Sequence, residues 1–347
     1  MKGKMKATIL HGPNDLRLEE VDIPEIGPNE VLVKVIVDGV CPSGVHAVKR
    51  GIKWGPPDAL FPGFPGHEFS GIVIEVGERV SHLKEGDRVV ADLIIPCGKC
   101  RLCRSGRDNL CPNIGKLGYF SWAEYIKTPG NQTYKFSDSI TFEEAAFTEP
   151  LSTVLHSVKR ANIPYGGNVV IIGSGPMGLL HLQLTKRLFG AYVIMVDLRE
   201  DRLRIAEHFG ADAVFVPDEK LPQEIERLTD GQKADTVIVT AGSTIAQESA
   251  LNLVARGGTI ILFAGIHLIE KPSIQLDPNF VHYGEVDIRG SSDKTRDEFF
   301  RALKLIEHKA VDVKSLITHK FSLEEYKKAL EVFDKKEGLK IMIYPSK

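Results

Sequence analysis

The stretch Ile171-Ile172-Gly173-Ser174-Gly175-Pro176-Met177-Gly178 constrains this chain more than any other. It follows the apolar run Asn168-Val169-Val170 and leads into Leu179-Leu180-His181-Leu182, so it reads as a strand turning through glycines into a helix. Gly173, Gly175 and Gly178 have the G-x-G-x-x-G spacing. The first glycine allows a tight turn, the second a close approach of backbone to a pyrophosphate, and the third helix-on-strand packing. Pro176 falls at the first helical position, where a missing N–H costs nothing. The helix N-terminus so formed suits an anion. The same turn also occurs as an ordinary strand-to-helix connection, so context decides. Tyr192 to Val196 reads as the next strand and ends at Asp197, about 20 residues past the last glycine, where a carboxylate accepts both ribose hydroxyls and repels a 2′-phosphate. NAD is thereby favoured, while Arg199 and Arg202 keep NADP open.

From Asn168 onward strands and helices alternate. The strands are expected at Val169–Ile172, Val193–Val196, Ala213–Val216, Val237–Thr240 and Ile260–Phe263, with helices around Leu179–Phe189, Arg202–Phe209, Leu221–Leu228 and Ile245–Val254. This alternation implies an α/β fold with a doubly wound parallel sheet. The first half reads differently, as short strands such as Ala7–Leu10, Leu16–Leu18, Glu30–Val40, Phe69–Val76 and Arg88–Ala91, which indicates a β-rich, barrel-like domain. Thr141 and Glu144 have capping-box spacing, and Pro150 is expected to break the helix they start, so that Leu151–Ala161 forms a second one. Thr295/Glu298 and Ser322/Glu325 repeat the spacing ahead of helices near Asp297–Glu307 and Leu323–Phe333. Ile341–Ile343 reads as a closing strand that rejoins the first domain.

A chain of 347 residues suits two domains, each able to bury a core. Its net charge of −2 offers no basic excess for a phosphate backbone, so nucleic acid is not an expected partner. The apolar run Ala7–Leu10 is too short for a signal peptide, and no run approaches a membrane span. A cytoplasmic protein without membrane contact is expected.

Four of the five cysteines crowd into Cys97-x2-Cys100-x2-Cys103-x7-Cys111. One loop thus supplies the four thiolates of a closed tetrahedral zinc, at spacings that differ from ferredoxin-type iron–sulfur runs. A closed shell has no open position, so this metal is expected to stabilise its loop. Cys41 is left over, followed by Ser43 and His46, and His67-Glu68 comes later. A catalytic zinc needs three protein ligands and an exchangeable position. Cys41 and His67 supply two, and either Glu68 or the distant Glu149 the third. Taken singly, each of these residues has a structural reading as well: a small buried thiol, turn residues, a solvated acid.

Taken together, these residues resemble the zinc-dependent medium-chain alcohol and polyol dehydrogenases, in the sorbitol and threonine dehydrogenase branch. The likeness runs through Gly39-Val40-Cys41, Phe64-Pro65-Gly66-His67-Glu68-Phe69-Ser70-Gly71, Gly86-Asp87-Arg88-Val89, the cysteine loop, Glu149-Pro150-Leu151-Ser152, the glycine turn, Asp197-Leu198-x3-Arg202-Leu203 and Gly338-Leu339-Lys340-Ile341-Met342. It implies a GroES-like catalytic domain over 1–153 and 293–347, with a structural zinc loop at about 96–112, and a Rossmann NAD-binding domain over 154–292. It further implies a catalytic zinc on Cys41 and His67 with Glu68 and Glu149 exchanging as near ligands, so two zinc ions per chain, and a proton relay through Ser43 and His46. Asp197 and Arg202 would hold the adenosine ribose, Met177 would touch the pyrophosphate with the turn, Phe263-Ala264-Gly265 would lie by the nicotinamide, and Lys340 near the pyrophosphate. The branch implies a homo-oligomer, a tetramer more than a dimer.

The implied reaction converts a secondary alcohol of a polyol, sugar alcohol, vicinal diol or hydroxy-amino acid to a ketone, with threonine or a sugar-alcohol phosphate as alternative substrates. A non-enzymatic dinucleotide binder is the alternative from another class, and the open ligand set Cys41, His67 and Glu149 argues against it. The chain departs from the family pattern at several places. Pro42 and Gly44 stand where the motif has glycine and aspartate, so an acid near the zinc is lost. Ala47 and Asp293-Lys294 stand where sorbitol dehydrogenases place an aromatic residue and an Arg-Tyr pair, which puts sorbitol in doubt and suggests Lys294 as a partner for a substrate phosphate. Ser121-Trp122 replaces a glycine pair.

Overall fold

A computed structural model describes residues 2–52, 60–115, 119–266 and 271–346 of the protein. The chain divides into two compact units, Met1–Ser152 with Thr295–Lys347, and Thr153–Lys294.

The first unit opens with an antiparallel hairpin, β1 (Lys4–Gly12) and β2 (Asp15–Asp22), turned at Asn14. Strand β3 (Glu30–Gly39) carries Val31, Val33, Val35 and Val37, all fully buried, and leads into helix α1 (Pro42–Arg50). Then come β4 (Phe69–Val76), β5 (Arg88–Ala91), the short helix α2 (Arg101–Arg104), β6 (Tyr125–Pro129), β7 (Thr133–Lys135) and α3 (Phe142–Ala146). Helix α3 opens on the Thr141/Glu144 capping box.

Helix α4 (Thr148–Ala161) corrects the expected break at Pro150. The interruption falls earlier, at Phe147, the C-cap of α3. Pro150 sits in the first turn of α4, where backbone N–H groups have no intrahelical acceptor and a proline removes nothing. Glu149 therefore stands in the first turn of a continuous helix.

The second unit alternates β8 (Asn168–Ile172), α5 (Pro176–Phe189), β9 (Tyr192–Val196), α6 (Glu200–His208), β10 (Ala213–Phe215), α7 (Leu221–Leu228), β11 (Ala234–Val239), α8 (Thr244–Ala250), β12 (Val254–Leu262), α9 (Pro278–Gly284) and β13 (Asp287–Gly290). Among the described residues its six strands pair in parallel in the order β10-β9-β8-β11-β12-β13. This is the doubly wound dinucleotide-binding order, with its switch point between β8 and β11. The helix expected over Ile245–Val254 is shorter: α8 ends at Ala250 and Val254 already belongs to β12.

The chain then returns to the first unit through α10 (Arg296–Glu307), β14 (Ile317–Ser322), α11 (Tyr326–Asp334) and β15 (Lys340–Tyr344). Strand β15 pairs with β3, completing a sheet ordered β14-β15-β3-β4-β5-β7 with β6 also on β3. A core of Val40, Val45, Val48, Phe64, Trp122, Leu323, Ile341 and Ile343 lies directly behind the segments that carry Cys41 and His67. No helix among the described residues is long and apolar enough to cross a membrane.

Candidate active site

Two ligand clusters lie in the first unit. In the loop cluster, the sulfurs of Cys97, Cys100, Cys103 and Cys111 all lie within 4.8 Å of one another. The separations are 3.4 Å for Cys100–Cys103, 3.9 Å for Cys100–Cys111 and 4.0 Å for Cys97–Cys103. A tetrahedron with Zn–S bonds of about 2.3 Å has edges of about 3.8 Å, so the thiols fit zinc and are too far apart for disulfides. Backbone N–H groups of Cys97, Cys103 and Asn113 point at the sulfurs, each at 3.4 Å, the arrangement that favours thiolates. The N–H groups of Lys99 and Cys100 hold Cys97 down at about 6 and that of Cys103 lowers Cys100, whereas burial pushes Cys103 up to about 12. Asp108, also in the loop, accepts from Arg296 Nε of α10 at 3.0 Å and ties the lobe to the unit.

The second cluster joins distant segments. Cys41 is the N-cap of α1, and His67 and Glu68 precede β4; their ligand atoms also lie within 4.8 Å of one another. His67 Nδ1 donates to the Pro65 carbonyl at 2.9 Å, which leaves Nε2 as the ligand nitrogen. Burial works against the charged imidazole, but Cys41, Glu149 and Glu68 outweigh it and hold the ring well above its usual value. A negative field that keeps a proton on imidazole also attracts a dication, and mixed thiolate, imidazole and carboxylate donors suit zinc. Glu149 acts on His67 electrostatically but lies outside the tight set, so of the two carboxylates left open by the sequence it is Glu68 that stands with Cys41 and His67.

Glu68 is itself buried and ion-paired with the ammonium of Lys340, which also donates to the Val40 carbonyl at 3.3 Å. Gly39 makes room for this pair, since a Cβ there would collide with the Glu68 carboxylate and the Lys340 side chain. Burial lowers the proton affinity of Lys340, but Glu68 and Cys41 more than reverse this and hold it charged. Lys340, expected near the pyrophosphate, thus has its charge committed to Glu68. Ser43 Oγ lies 3.1 Å from Cys41 Sγ, and His46 follows three residues later on the same face of α1.

In the second unit the expected cofactor residues gather at the carboxyl ends of the strands. Gly173 has a φ of 110°, and a Cβ on Gly178 would strike the Gly173 carbonyl, so helix α5 meets β8 without a side chain between them. Gly175 caps α5, Pro176 is its first residue, and the Met177 carbonyl accepts from His181 Nδ1. Asp197 accepts from Ser174 N at 2.6 Å and from Arg199 N at 2.9 Å, which pins its carboxylate beside the glycine turn. Arg199 is paired with Asp201, its Nε at 2.9 Å, and Arg202 is half-buried, desolvation lowering its proton affinity. Ala264 N donates to the Val239 carbonyl at 3.1 Å, and the Gly265 carbonyl packs against Gly242, at the ends of β12 and β11. Lys294 is buried and paired with Asp293 at 3.1 Å, so its charge too is already committed.

Three further contributors complete the site. Helix α1 was marked by Pro42 at its start, Lys49 and Arg50 in its last turn, and Gly51 in the left-handed cap. The Glu68–Lys340 pair and the buried Asp38, which accepts from Glu68 N, carried no local signal. Burial pushes the Asp38 carboxyl up to about 7, against the pull of nearby Ser121 and His67.

Comparison with known proteins agrees with this architecture. Residues 27–138 match the alcohol dehydrogenase GroES-like domain and residues 176–308 the zinc-binding dehydrogenase domain. Sorbitol dehydrogenase of Bos taurus is 36% identical over 348 residues, 96% of this chain and 94% of its own. That of Bacillus subtilis (strain 168) is 32% identical over 350 residues, 99% and 98% of the two chains. Among solved structures, an oxidoreductase/dehydrogenase of unknown specificity involved in membrane biogenesis from Escherichia coli superposes with a TM-score of 0.91 at 30% identity, covering 99% of each chain. A putative zinc-binding dehydrogenase from Sinorhizobium meliloti 1021 bound to NADP gives 0.87 at 30% identity over 99% and 100%. Galactitol-1-phosphate dehydrogenase from Escherichia coli gives 0.87 at 26% over 98% and 100%. The chain belongs to the zinc-dependent medium-chain alcohol and polyol dehydrogenases. It is an oxidoreductase that uses zinc and a nicotinamide cofactor on a small alcohol or ketone.

Proposed function

We propose that the protein is an NAD-preferring dehydrogenase that interconverts a secondary alcohol of a polyol, sugar alcohol, vicinal diol or hydroxy-amino acid with its ketone. It holds two zinc ions, one on Cys97, Cys100, Cys103 and Cys111 and one on Cys41, His67 and Glu68 with Glu149 as an exchange ligand. The convergence of Cys41, His67 and Glu68 on one point carries the reading. Three protein donors leave the fourth position of a tetrahedral ion for substrate, which the loop cluster does not.

Zinc supplies Lewis acidity to the alcohol oxygen and the nicotinamide supplies a hydride acceptor. The residues of the chain do the rest. His67 is oriented by Pro65 so that Nε2 faces Cys41 and Glu68. Ser43 and His46 take the alcohol proton toward solvent along α1. Lys340 balances the charge of Glu68, so that carboxylate would serve a bound ion only as the ion pair yields. Gly173, Gly175, Pro176, Met177 and Gly178 receive the pyrophosphate, Ala264 and Gly265 flank the nicotinamide, and Asp197 takes the ribose hydroxyls with Arg202 beside it.

A carboxylate pinned at the end of β9 repels a 2′-phosphate, and the pairing of Arg199 with Asp201 withholds the nearest compensating charge, which supports NAD. The catalytic role of 1–153 with 293–347, the cofactor role of 154–292, and a homotetramer belong to the same proposal; the resemblance supports them. The test is a panel of polyols, threonine and sugar-alcohol phosphates offered with NAD and with NADP, read by nicotinamide absorbance, alongside zinc content per chain. Turnover of a secondary alcohol with NAD and two zinc ions is expected; bound dinucleotide with no turnover of any alcohol sinks the reading.

A further inference from the structure

Asp38 stands near the end of β3 with its carboxyl fully buried, and the pull of nearby Ser121 and His67 does not overcome that burial. Burying a carboxyl is costly, so its contacts show what the cost maintains. Its Oδ1 accepts the backbone N–H of Glu68 at 3.0 Å. Strand β4 begins at Phe69, the ladder partner of Asp38, so the N–H of Glu68 has already left the sheet and would be orphaned without the side chain. The next residue, Gly39, donates its N–H to the Glu68 carbonyl at 2.8 Å. Two consecutive residues of β3 thus fix the backbone of Glu68 on both sides.

The other carboxyl oxygen, Oδ2, lies against Gly66 and the Trp122 indole, where a Cβ on residue 66 would strike both. Ser121 N donates to the Gly66 carbonyl at 3.0 Å and Trp122 N to the Gly63 carbonyl at 2.9 Å, so the turn that carries His67 is braced by Ser121-Trp122. Position 44 on α1 is closed to an acid. A Cβ on Gly44 would stand 2.9 Å from Pro65 Cβ, so α1 has no room for an aspartate there. The departure at Ser121-Trp122 thus lies beside the buried carboxyl, and that at Gly44 lies against Pro65 in the segment that leads to His67.

We propose that Asp38 is a positioning residue that holds His67 and Glu68 in register for the metal, acting through its hydrogen bond to the Glu68 peptide with Ser121-Trp122 as backing. This rests on the reading of Cys41, His67 and Glu68 as a zinc site. The test compares Asp38→Asn, which keeps an acceptor of the same shape, with Asp38→Leu, which keeps the bulk and loses the acceptor. Zinc release to a chromogenic chelator is followed in the full-length protein, and the cobalt-substituted protein is examined by its visible spectrum. Asp38→Leu is expected to weaken the mixed-ligand site about 10- to 100-fold and to shift its cobalt bands. It should leave the four-cysteine metal in place, and Asp38→Asn should stay close to the parent.

Parent-like affinity in Asp38→Leu overturns the proposal, and so does Asp38→Asn falling as far as Asp38→Leu, because the effect would then lie in charge. Should Asp38→Leu fail to fold, seen as loss of the four-cysteine metal as well, Asp38→Ser replaces it, its hydroxyl too short to reach the Glu68 N–H; the same outcomes apply. A parent that releases only one class of metal defeats the zinc-site reading and this proposal with it. A parent with two classes and an indifferent Asp38→Leu defeats this proposal alone.

Discussion

The two clusters of the first unit use similar ligands to opposite ends. The four-cysteine lobe takes all its donors from the span Cys97–Cys111, caps α2 with the Cys100 sulfur, and has no charged partner inside the set. The Cys41–His67–Glu68 cluster takes its donors from two distant segments, the head of α1 and the approach to β4, and draws Lys340 from β15 and the field of Glu149 from α4. A cluster closed by one loop can only brace that loop. A cluster assembled from distant segments, with a carboxylate already held by an ammonium, would under the proposed reading be able to vary its coordination.

The sharpest break of the comparison is Cys41→Ala. Loss of one donor at the open site should reduce kcat/KM on the order of 1,000-fold, several kcal/mol of transition-state stabilisation, while the melting temperature barely moves and one zinc per chain remains. Next comes Cys100→Ala, which should cost about 4 kcal/mol of stability and lower the melting temperature by roughly 10 °C. The fraction still folded should keep its turnover; a lobe variant that stays stable but loses kcat would erase the distinction drawn here.

Lys340→Met asks whether the open cluster depends on its counter-charge. It leaves the buried Glu68 carboxylate uncompensated, so a loss of about 3 kcal/mol is expected by chemical denaturation, together with tighter zinc retention as Glu68 turns to the metal. Unchanged stability would mean that the ion pair is not formed in solution.

Acid gives the smallest effect and a control outside both clusters. His181, buried in the second unit between Ser157 and the Met177 carbonyl, is pushed down to about 4 by desolvation. The folded state then binds fewer protons than the unfolded one between these values. Its contribution is therefore present above about pH 6.5 and lost as pH falls toward 4, about 2 kcal/mol by pH 5. Stability measured against pH in the parent and in His181→Gln should differ in slope over that window, with metal content equal.

Legibility in the sequence follows the same division between local and distant. The glycine turn, the capping boxes at Thr141, Thr295 and Ser322, and the cysteine loop are short-range patterns, and the corresponding structures are present. The parallel sheet was readable from alternation, but its edge strand Asp287–Gly290, only partly buried and lacking a continuous apolar run, was not. Pro150 misled because the rule for proline differs between the first turn and the interior of a helix. The choice between Glu68 and Glu149, the commitment of Lys340, and the place of Asp38 depend on which strands become neighbours, and no spacing encodes that.

Lys340 reaches the Val40 carbonyl across a separation of 300 residues, and β3 and β15 are ladder partners with the whole second unit inserted between them. A ribosome making this chain releases the second unit as one uninterrupted stretch, able to collapse while the first still lacks its last strands. Cys41, His67 and Glu68 emerge early, but Glu68 waits for the ammonium that balances it, which arrives only once β15 has been made.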